Sequence, residues 1–238
     1  DSPAGQAARD YLERRGVQRE TMRAFQLGYA PDQWHGLQER LQAQRYTVEE
    51  MLTAGVLSKN EAGAIYDRFR QRILFPVRDA QGHVIGFGGR ALGDAQPKYL
   101  NTPDTPLFDK GSALYGLDRA RNAIRDSGVA IVVEGYMDVV IPHQCGVANV
   151  VACMGTALTE AHIDALKRIT RTLILALDAD EAGLRAVERS AATARQGLER
   201  RVMPVIGAEG LIRYEERLNA EIRVLALPEG YDPDELIL

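Results

Sequence analysis

The sequence predicts an α/β protein, with a parallel sheet and flanking helices in its second half and a mixed α+β subdomain before it. Two observations carry this reading, and a third bears on function. Apolar runs VAIVV, VANVVA and TLILAL recur after Ser127, each followed by a helical-looking segment. Continuous apolar strands that alternate with helices are the pattern of a parallel sheet covered on both faces. The earlier part has a different texture: amphipathic helical stretches, then RILFPVRD and HVIGFGGRAL separated by AQG, which read as two strands and a turn. The charge is also uneven. Residues 1–127 carry 18 basic and 16 acidic side chains and the remainder 11 and 17, within a net charge of −4. A basic first half joined to an acidic second half suits a protein that holds polyanions with one surface and cations with another. The division expected is 1–126 and 127–238, and 238 residues with 45% hydrophobic content can bury one large core or two small ones.

In chain order, SPAGQAARDYLERRG reads as a helix with Ser2 as N-cap, Pro3 at the first helical position and Gly16 past the end. A second helix is expected over Arg19–Phe25, LGYAPD as a turn, and helices over Trp34–Gln44 and Thr47–Ala54. Beyond the two predicted strands, helices should follow the apolar runs at Tyr136–Cys145, Thr159–Ile169 and Glu181–Leu198, with Thr159 and Glu160 as an N-terminal signal. EIRVLALP is expected as a last strand. The stretch MPVIGAEGLIRYEERLNA interrupts the simple helix-to-strand step without a sequence-level explanation.

The chemistry-bearing residues stand at the ends of the apolar runs. In an open parallel sheet, function gathers at the carboxyl ends of strands. Glu134 ends VAIVV and is followed by Gly135; Asp178 and Asp180 end TLILAL; Asp232 and Asp234 follow VLALP. Asp138, four residues after Glu134, shares its face if that segment is helical, and either joins the cluster or caps locally. Packed carboxylates repel, and bound cations relieve them. An all-oxygen donor set selects hard Mg²⁺ or Mn²⁺ over zinc or copper. Two such ions would serve phosphoryl or nucleotidyl transfer. Singly, a Glu–Gly or a DxD after a strand carries little; three strand ends together carry more. Among basic residues, Arg68, Arg70 and Arg72 would share one face if RFRQR is extended, and Gly86, Gly88 and Gly89 would let backbone approach a ligand closely.

EGYMDVV, VVACMGTALTEAHI, LALDADEAG and LPEGYDPDELI, in that order, resemble the Toprim domain of DnaG-type bacterial primases. RFRQRILFPVRDAQGHVIGFGGRAL and PKYLNTPDTPLFDKGSALYGL resemble that family's basic subdomain, so the likeness covers nearly the whole chain. It implies a Toprim-type sheet and a nucleotidyltransferase, a DNA-directed RNA polymerase that makes short RNA primers on single-stranded DNA from ribonucleoside triphosphates, leaving an RNA/DNA hybrid. It implies that Glu134, Asp178, Asp180, Asp232 and Asp234 bind the catalytic metals, two or more Mg²⁺ or Mn²⁺ ions, with Glu134 a ligand or an aid to deprotonating the 3′-hydroxyl. It also implies that Arg90, Lys98, Tyr99, Asn101 and Lys110 line the template and nucleotide groove, with Arg68, Arg70 and Arg72 along the template strand. The family's zinc ribbon and helicase-binding region are not represented, so no zinc is expected in this stretch and the replicative helicase would be met through other regions. Two departures stand out: Ala179 where the family has glycine, and the insertion around Val202–Ala220.

Other Toprim proteins, topoisomerases or nucleases acting on DNA phosphodiesters, and non-catalytic DNA-binding scaffolds share the acidic pattern and are the alternatives. A haloacid-dehalogenase-type phosphatase places Thr or Val where Ala182 stands. The two cysteines, Cys145 and Cys153, form no CxxC and suggest a reducing cytoplasm. No apolar run approaches a membrane span, and the first residues lack a basic-then-apolar signal, so no membrane association or export is expected; the resemblance implies a place in the bacterial cytoplasm at the replication fork.

Overall fold

The computed structural model describes residues 3–176, 200–206, 212–218, 221–225 and 237, of which 200–206 and 212–218 are described by their backbone. A short 3-10 turn at Pro3–Gly5 leads into α1 (Gln6–Arg14), and Gly16 follows its end with φ of 80°. The expected cap, Ser2, lies outside the described residues. Helix α2 (Arg19–Ala24) follows as expected. LGYAPD does not simply turn: Gly28–Ala30 forms a short strand, β1, because its backbone pairs with a partner far along the chain. Helix α3 (Gly36–Ala43) has no local cap at His35; instead the buried Asp67 carboxylate accepts from the Leu37 and Gln38 amides at 2.6 and 3.0 Å, satisfying its orphan donors from a distance. Thr47 and Glu50 form a capping box at the start of α4 (Val48–Thr53).

A small hairpin, β2 (Leu57–Lys59) with β3 (Ile65–Asp67), precedes the expected pair β4 (Arg72–Arg78) and β5 (Val84–Ala91). With β1 and a short β6 (Tyr99–Asn101) these make an antiparallel sheet in the order β1-β4-β5-β6. Helix α5 (Leu117–Ser127) was not foreseen, since its DRARN run reads as surface, yet Ala120 and Ile124 are fully buried. Those two side chains share a core with Ala130, Val132, Leu173 and Leu175, so packing of the second unit begins before residue 127.

The second sheet is parallel throughout, as predicted: β7 (Val129–Val133), α6 (Met137–Gln144), β8 (Val150–Ala152), α7 (Glu160–Leu166) and β9 (Thr172–Leu175). The insertion resolves into an antiparallel hairpin, β10 (Arg200–Ile206) with β11 (Ile212–Leu218), before β12 (Glu221–Val224) joins the edge to give β12-β9-β7-β8. The expected helix over Glu181–Leu198 lies outside the described residues. One apolar cluster joins the two units: Leu12, Phe25, Ile73, Phe75 and Val77 pack with Tyr115, Val133, Tyr136, Val139 and Ile141.

Two histidines, the buried His162 and the half-buried His143, brace the second unit. His162 is held neutral in one tautomer, its Nδ1 accepting from the Thr159 amide at 3.2 Å and its Nε2–H donating to the Ala113 carbonyl at 3.1 Å. The His143 Nε2–H donates to the Val150 carbonyl at 3.0 Å. Burial holds both pKa values below the ordinary histidine range. In the unfolded chain both take up protons more readily. Stability is therefore full above the unfolded value near 6.5 and declines as pH falls below it, by up to ~1.4 kcal/mol per pH unit for each histidine until its folded pKa is reached. Urea unfolding should show a lower midpoint at pH 5.5 than at pH 7.5, and His162→Gln should flatten that dependence.

Candidate functional site

At the carboxyl end of β7 the chain leaves the sheet through Glu134 and Gly135 and enters α6 at Met137. The turn is closed locally, because Asp138 accepts from the Gly135 amide at 2.9 Å. A Cβ on Gly135 would fall 2.8 Å from that carboxylate oxygen, so glycine is needed for the closure. Asp138 thus caps locally, and it lines the same cleft as Glu134. Beside this turn, β8 ends in a second one. Met154 and Gly155 both have left-handed backbones, with φ of 57° and 76°, and the Gly155 amide donates to the Glu134 carbonyl at 3.3 Å. The Cys153 thiol is buried there, and burial, with the Glu134 charge adding to it, pushes its pKa up to about 12.

A cleft of about 280 Å³ opens above these turns. It is lined by the acidic Glu134 and Asp138 and the basic Arg90, Lys98 and Arg15, together with Tyr99, Tyr136 and Met154. Strand β5 supplies Arg90, whose guanidinium lies 4.3 Å over Tyr11 and donates through Nε to the Tyr99 hydroxyl at 3.2 Å. Such a stack on a neutral ring fixes direction while leaving the charge for a ligand. Lys110 flanks the Gly155 side, about 4.0 Å from where a Cβ on that glycine would stand, and burial lowers its pKa.

Asn101 sits apart from the lining. Its side chain joins Tyr136 and Met154, and its backbone carbonyl accepts from Arg68 Nε and Nη2 at 3.0 and 2.7 Å.

The arginine run does not form one extended face, because Gln71 is left-handed with φ of 50° and strand β4 begins only at Arg72. The three arginines nevertheless line a single groove of about 380 Å³ with Trp34, Tyr66 and Gln71. Arg68 and the buried Arg72 are engaged with carbonyls, Arg72 with those of Gly89 and Lys98, and burial lowers both pKa values. Arg70 also donates to a carbonyl, that of Asp67, and in addition its guanidinium lies 4.1 Å over Trp34 and 4.9 Å over Tyr66, with Trp34 58% exposed.

The glycines of GFGGR serve packing within the protein, and the expected backbone approach to a ligand is corrected. Each makes room for a side chain: Gly86 for Phe108, Gly88 for Tyr136 and Gly89 for Phe69.

Asp178, Asp180, Asp232 and Asp234 lie outside the described residues, and among the described ones no group of three or more His, Cys, Asp or Glu side chains gathers for a metal. The backbone register still bears on the carboxylate expectation. Leu175, the last residue of β9, pairs with Val132, and the Ala176 amide donates to the Val132 carbonyl at 2.9 Å, so the chain is still beside β7 two residues before Asp178. Glu134 and Asp138 are oxygen donors of the kind Mg²⁺ or Mn²⁺ takes. Sequence reasoning missed Arg15, Tyr11, Trp34 and Tyr66. Only the ERRG at the end of α1 offered a signal, for Arg15.

Comparison with known proteins agrees with this architecture. Residues 1–121 match the DNA primase catalytic core, N-terminal domain, and residues 131–210 match a Toprim-like family. The chain is 44% identical to the DNA primase of Deinococcus radiodurans over 97% of its own length and 37% of the relative's. It is 43% identical to that of Pseudomonas aeruginosa, covering 33% of it, so it spans about a third of the curated relatives it matches. A crystal structure of a DNA primase domain from Pseudomonas aeruginosa superposes with a TM-score of 0.85 at 42% identity, over 100% of this chain and 68% of that one. A DnaG primase catalytic domain bound to ssDNA gives 0.83 at 39% identity, over 100% and 71%. The chain belongs to the DnaG-type DNA primase catalytic-core family, its second half being the Toprim-like unit.

Proposed function

We propose that this chain is the RNA-polymerising core of a bacterial primase, which makes short RNA primers on single-stranded DNA by metal-dependent nucleotidyl transfer. The observation that carries the reading is the cleft that Glu134 and Asp138 line together with Arg90, Lys98 and Arg15. Its two kinds of charge match the two parts of a nucleoside triphosphate–metal complex, cations for phosphate and carboxylates for metal. Glu134, with Asp178, Asp180, Asp232 and Asp234, is the ligand set for two or more Mg²⁺ or Mn²⁺ ions. Held by these carboxylates, such ions would supply charge neutralisation for the transferring phosphoryl group and its leaving pyrophosphate. The chain's own residues bind and orient. Arg90, fixed between Tyr11 and Tyr99, offers a planar fork to phosphate, while Lys98 and Lys110 act as point charges on the triphosphate.

The template strand is assigned to the groove of Arg68, Arg70 and Arg72, with Trp34 and Tyr66 as the surface on which its bases stack. All three arginines shape that groove through carbonyl bonds, and Arg70, the one stacked on Trp34 and Tyr66, is assigned to the strand. Base–aromatic stacking contributes roughly 1–3 kcal/mol per base. Trp34→Ala should therefore weaken single-stranded DNA binding by about 5- to 150-fold while leaving nucleotide KM unchanged; fluorescence anisotropy with a labelled oligonucleotide and an affinity equal to wild type would remove Trp34 from the path.

The test of the whole reading is incorporation of labelled ribonucleotides on single-stranded DNA with Mg²⁺ or Mn²⁺, by the full-length protein that carries this chain. No product with either ion would overturn it. A replicative helicase would be engaged through segments that the curated relatives carry beyond the matched third, and primer synthesis places the protein in the cytoplasm at the fork.

A further inference from the structure

The cleft draws its residues from different sheets. Arg90 and Lys98 belong to β5 and the chain before β6, Glu134 to the end of β7, and something must hold them in register. Asn101, at the end of β6, is placed to do so. Its backbone is fixed in the first unit, pairing with Gly88 and accepting the Arg68 fork through its carbonyl. Its side chain is committed to the second unit at both ends: Oδ1 accepts from the Tyr136 hydroxyl at 2.6 Å, and Nδ2 donates to the Met154 carbonyl at 3.2 Å. The direction of the amide is settled by its partners, since the Met154 carbonyl can only accept.

Those two partners flank Glu134 on either side. Tyr136 lies two residues beyond it, and its ring is clamped by Phe75 at 4.9 Å and Tyr115 at 4.8 Å. Met154 is a left-handed residue in the turn whose next amide donates to the Glu134 carbonyl. A left-handed non-glycine persists where its surroundings hold it, and the Asn101 amide is one such hold. The same side chain does not line the cleft.

We infer that Asn101 is a positioning residue that bridges the basic sheet to both turns around Glu134 and sets the carboxylate against the phosphate-binding cations. The inference rests on the primer-synthesis reading for its catalytic consequence.

The test uses the full-length protein with Asn101→Ala, Tyr136→Phe and the two combined. Tyr136→Phe keeps the ring and its packing, so it removes only the bonded hydroxyl. Misplacement of a reacting group by about an ångström costs up to ~100-fold in rate. Each single change is expected to lower kcat by about 10- to 100-fold, with KM for ribonucleotides and affinity for single-stranded DNA held within about twofold. The double variant should be no slower than the poorer single one, because both cut the same bridge. Hydrogen exchange at the Gly135 and Gly155 amides should accelerate in both single variants. Multiplying effects in the double variant, a rise in KM confined to Asn101→Ala, or unchanged exchange at those amides would each overturn the bridge. The exchange arm does not depend on activity, so a protein that makes no RNA would remove the primer-synthesis reading and still leave the bridge decided.

Discussion

Replacing Glu134 by glutamine is expected to abolish ribonucleotide incorporation, with kcat reduced by on the order of 10³-fold or more, while single-stranded DNA affinity stays within about twofold of wild type. The size follows from the role. A ligand that fixes a divalent ion contributes several kcal/mol to stabilising the charge that builds on the transferred group, and each 1.4 kcal/mol is about tenfold in rate. The selectivity follows from the geometry. Glu134 lines the cleft, whereas the stacked Arg70 and exposed Trp34 belong to another groove. Asp178→Asn should behave in the same way. Primer assays on both variants with Mg²⁺ and Mn²⁺, alongside anisotropy with a labelled oligonucleotide, give the comparison. Synthesis near the wild-type rate by the Glu134 variant would remove this carboxylate from the chemistry.

The second large effect is on stability. Gly88→Ala should lower the melting temperature by about 6–12 °C and reduce activity with it. A Cβ at this position would fall 2.1 Å from Cζ of Tyr136 and 2.2 Å from its hydroxyl oxygen. The ring has nowhere to go, being stacked on Phe75 and held edge-on by Tyr115. Nor can the strand retreat, since Gly88 pairs with Phe75 on one side and Asn101 on the other. Overpacking of this kind costs about 1–3 kcal/mol, and the upper end applies where both neighbours are rigid; in a chain of this size each kcal/mol moves the midpoint by about 2–4 °C. Thermal unfolding followed by circular dichroism measures it. A melting temperature within about 1 °C of wild type would mean that the Tyr136 ring is free to shift.

Much of this arrangement is legible from local pattern. The parallel sheet is, because VAIVV and TLILAL are buried runs with no competing assignment, and the sharp exit at Glu134–Gly135 follows from a strand that ends on glycine. The same local logic fails where a distant partner decides. Strands β1 and β6 are three residues long and exist only by pairing with β4 and β5. Helix α5 hides its apolar face within a charged run, and Ala120 and Ile124 reveal it only once the sheet is present. GFGGR reads as a ligand-approach motif, whereas its glycines accommodate Phe108, Tyr136 and Phe69, aromatic rings that come from elsewhere in the chain. Among the site residues, Glu134, Arg90, Lys98 and Tyr99 are brought to one cleft. The arginine run needed the left-handed Gln71 to be understood, and Arg15 and Trp34 are ordinary residues until the folded chain sets them beside the two grooves.

The apolar cluster that joins the units limits how such a protein can be taken apart. Phe75 from the first sheet, Tyr115 from the connection and Tyr136 from the start of α6 form one aromatic stack, and Leu12 and Phe25 close it from the N-terminal side. A cut near residue 126 would pass through this cluster and strand half of it in water on each fragment. The acidic half is therefore not an interchangeable cartridge. Grafting it onto another basic subdomain would require the graft to bring its own answer to the Tyr136 ring, and recombination between relatives should be tolerated only where both halves of the stack travel together.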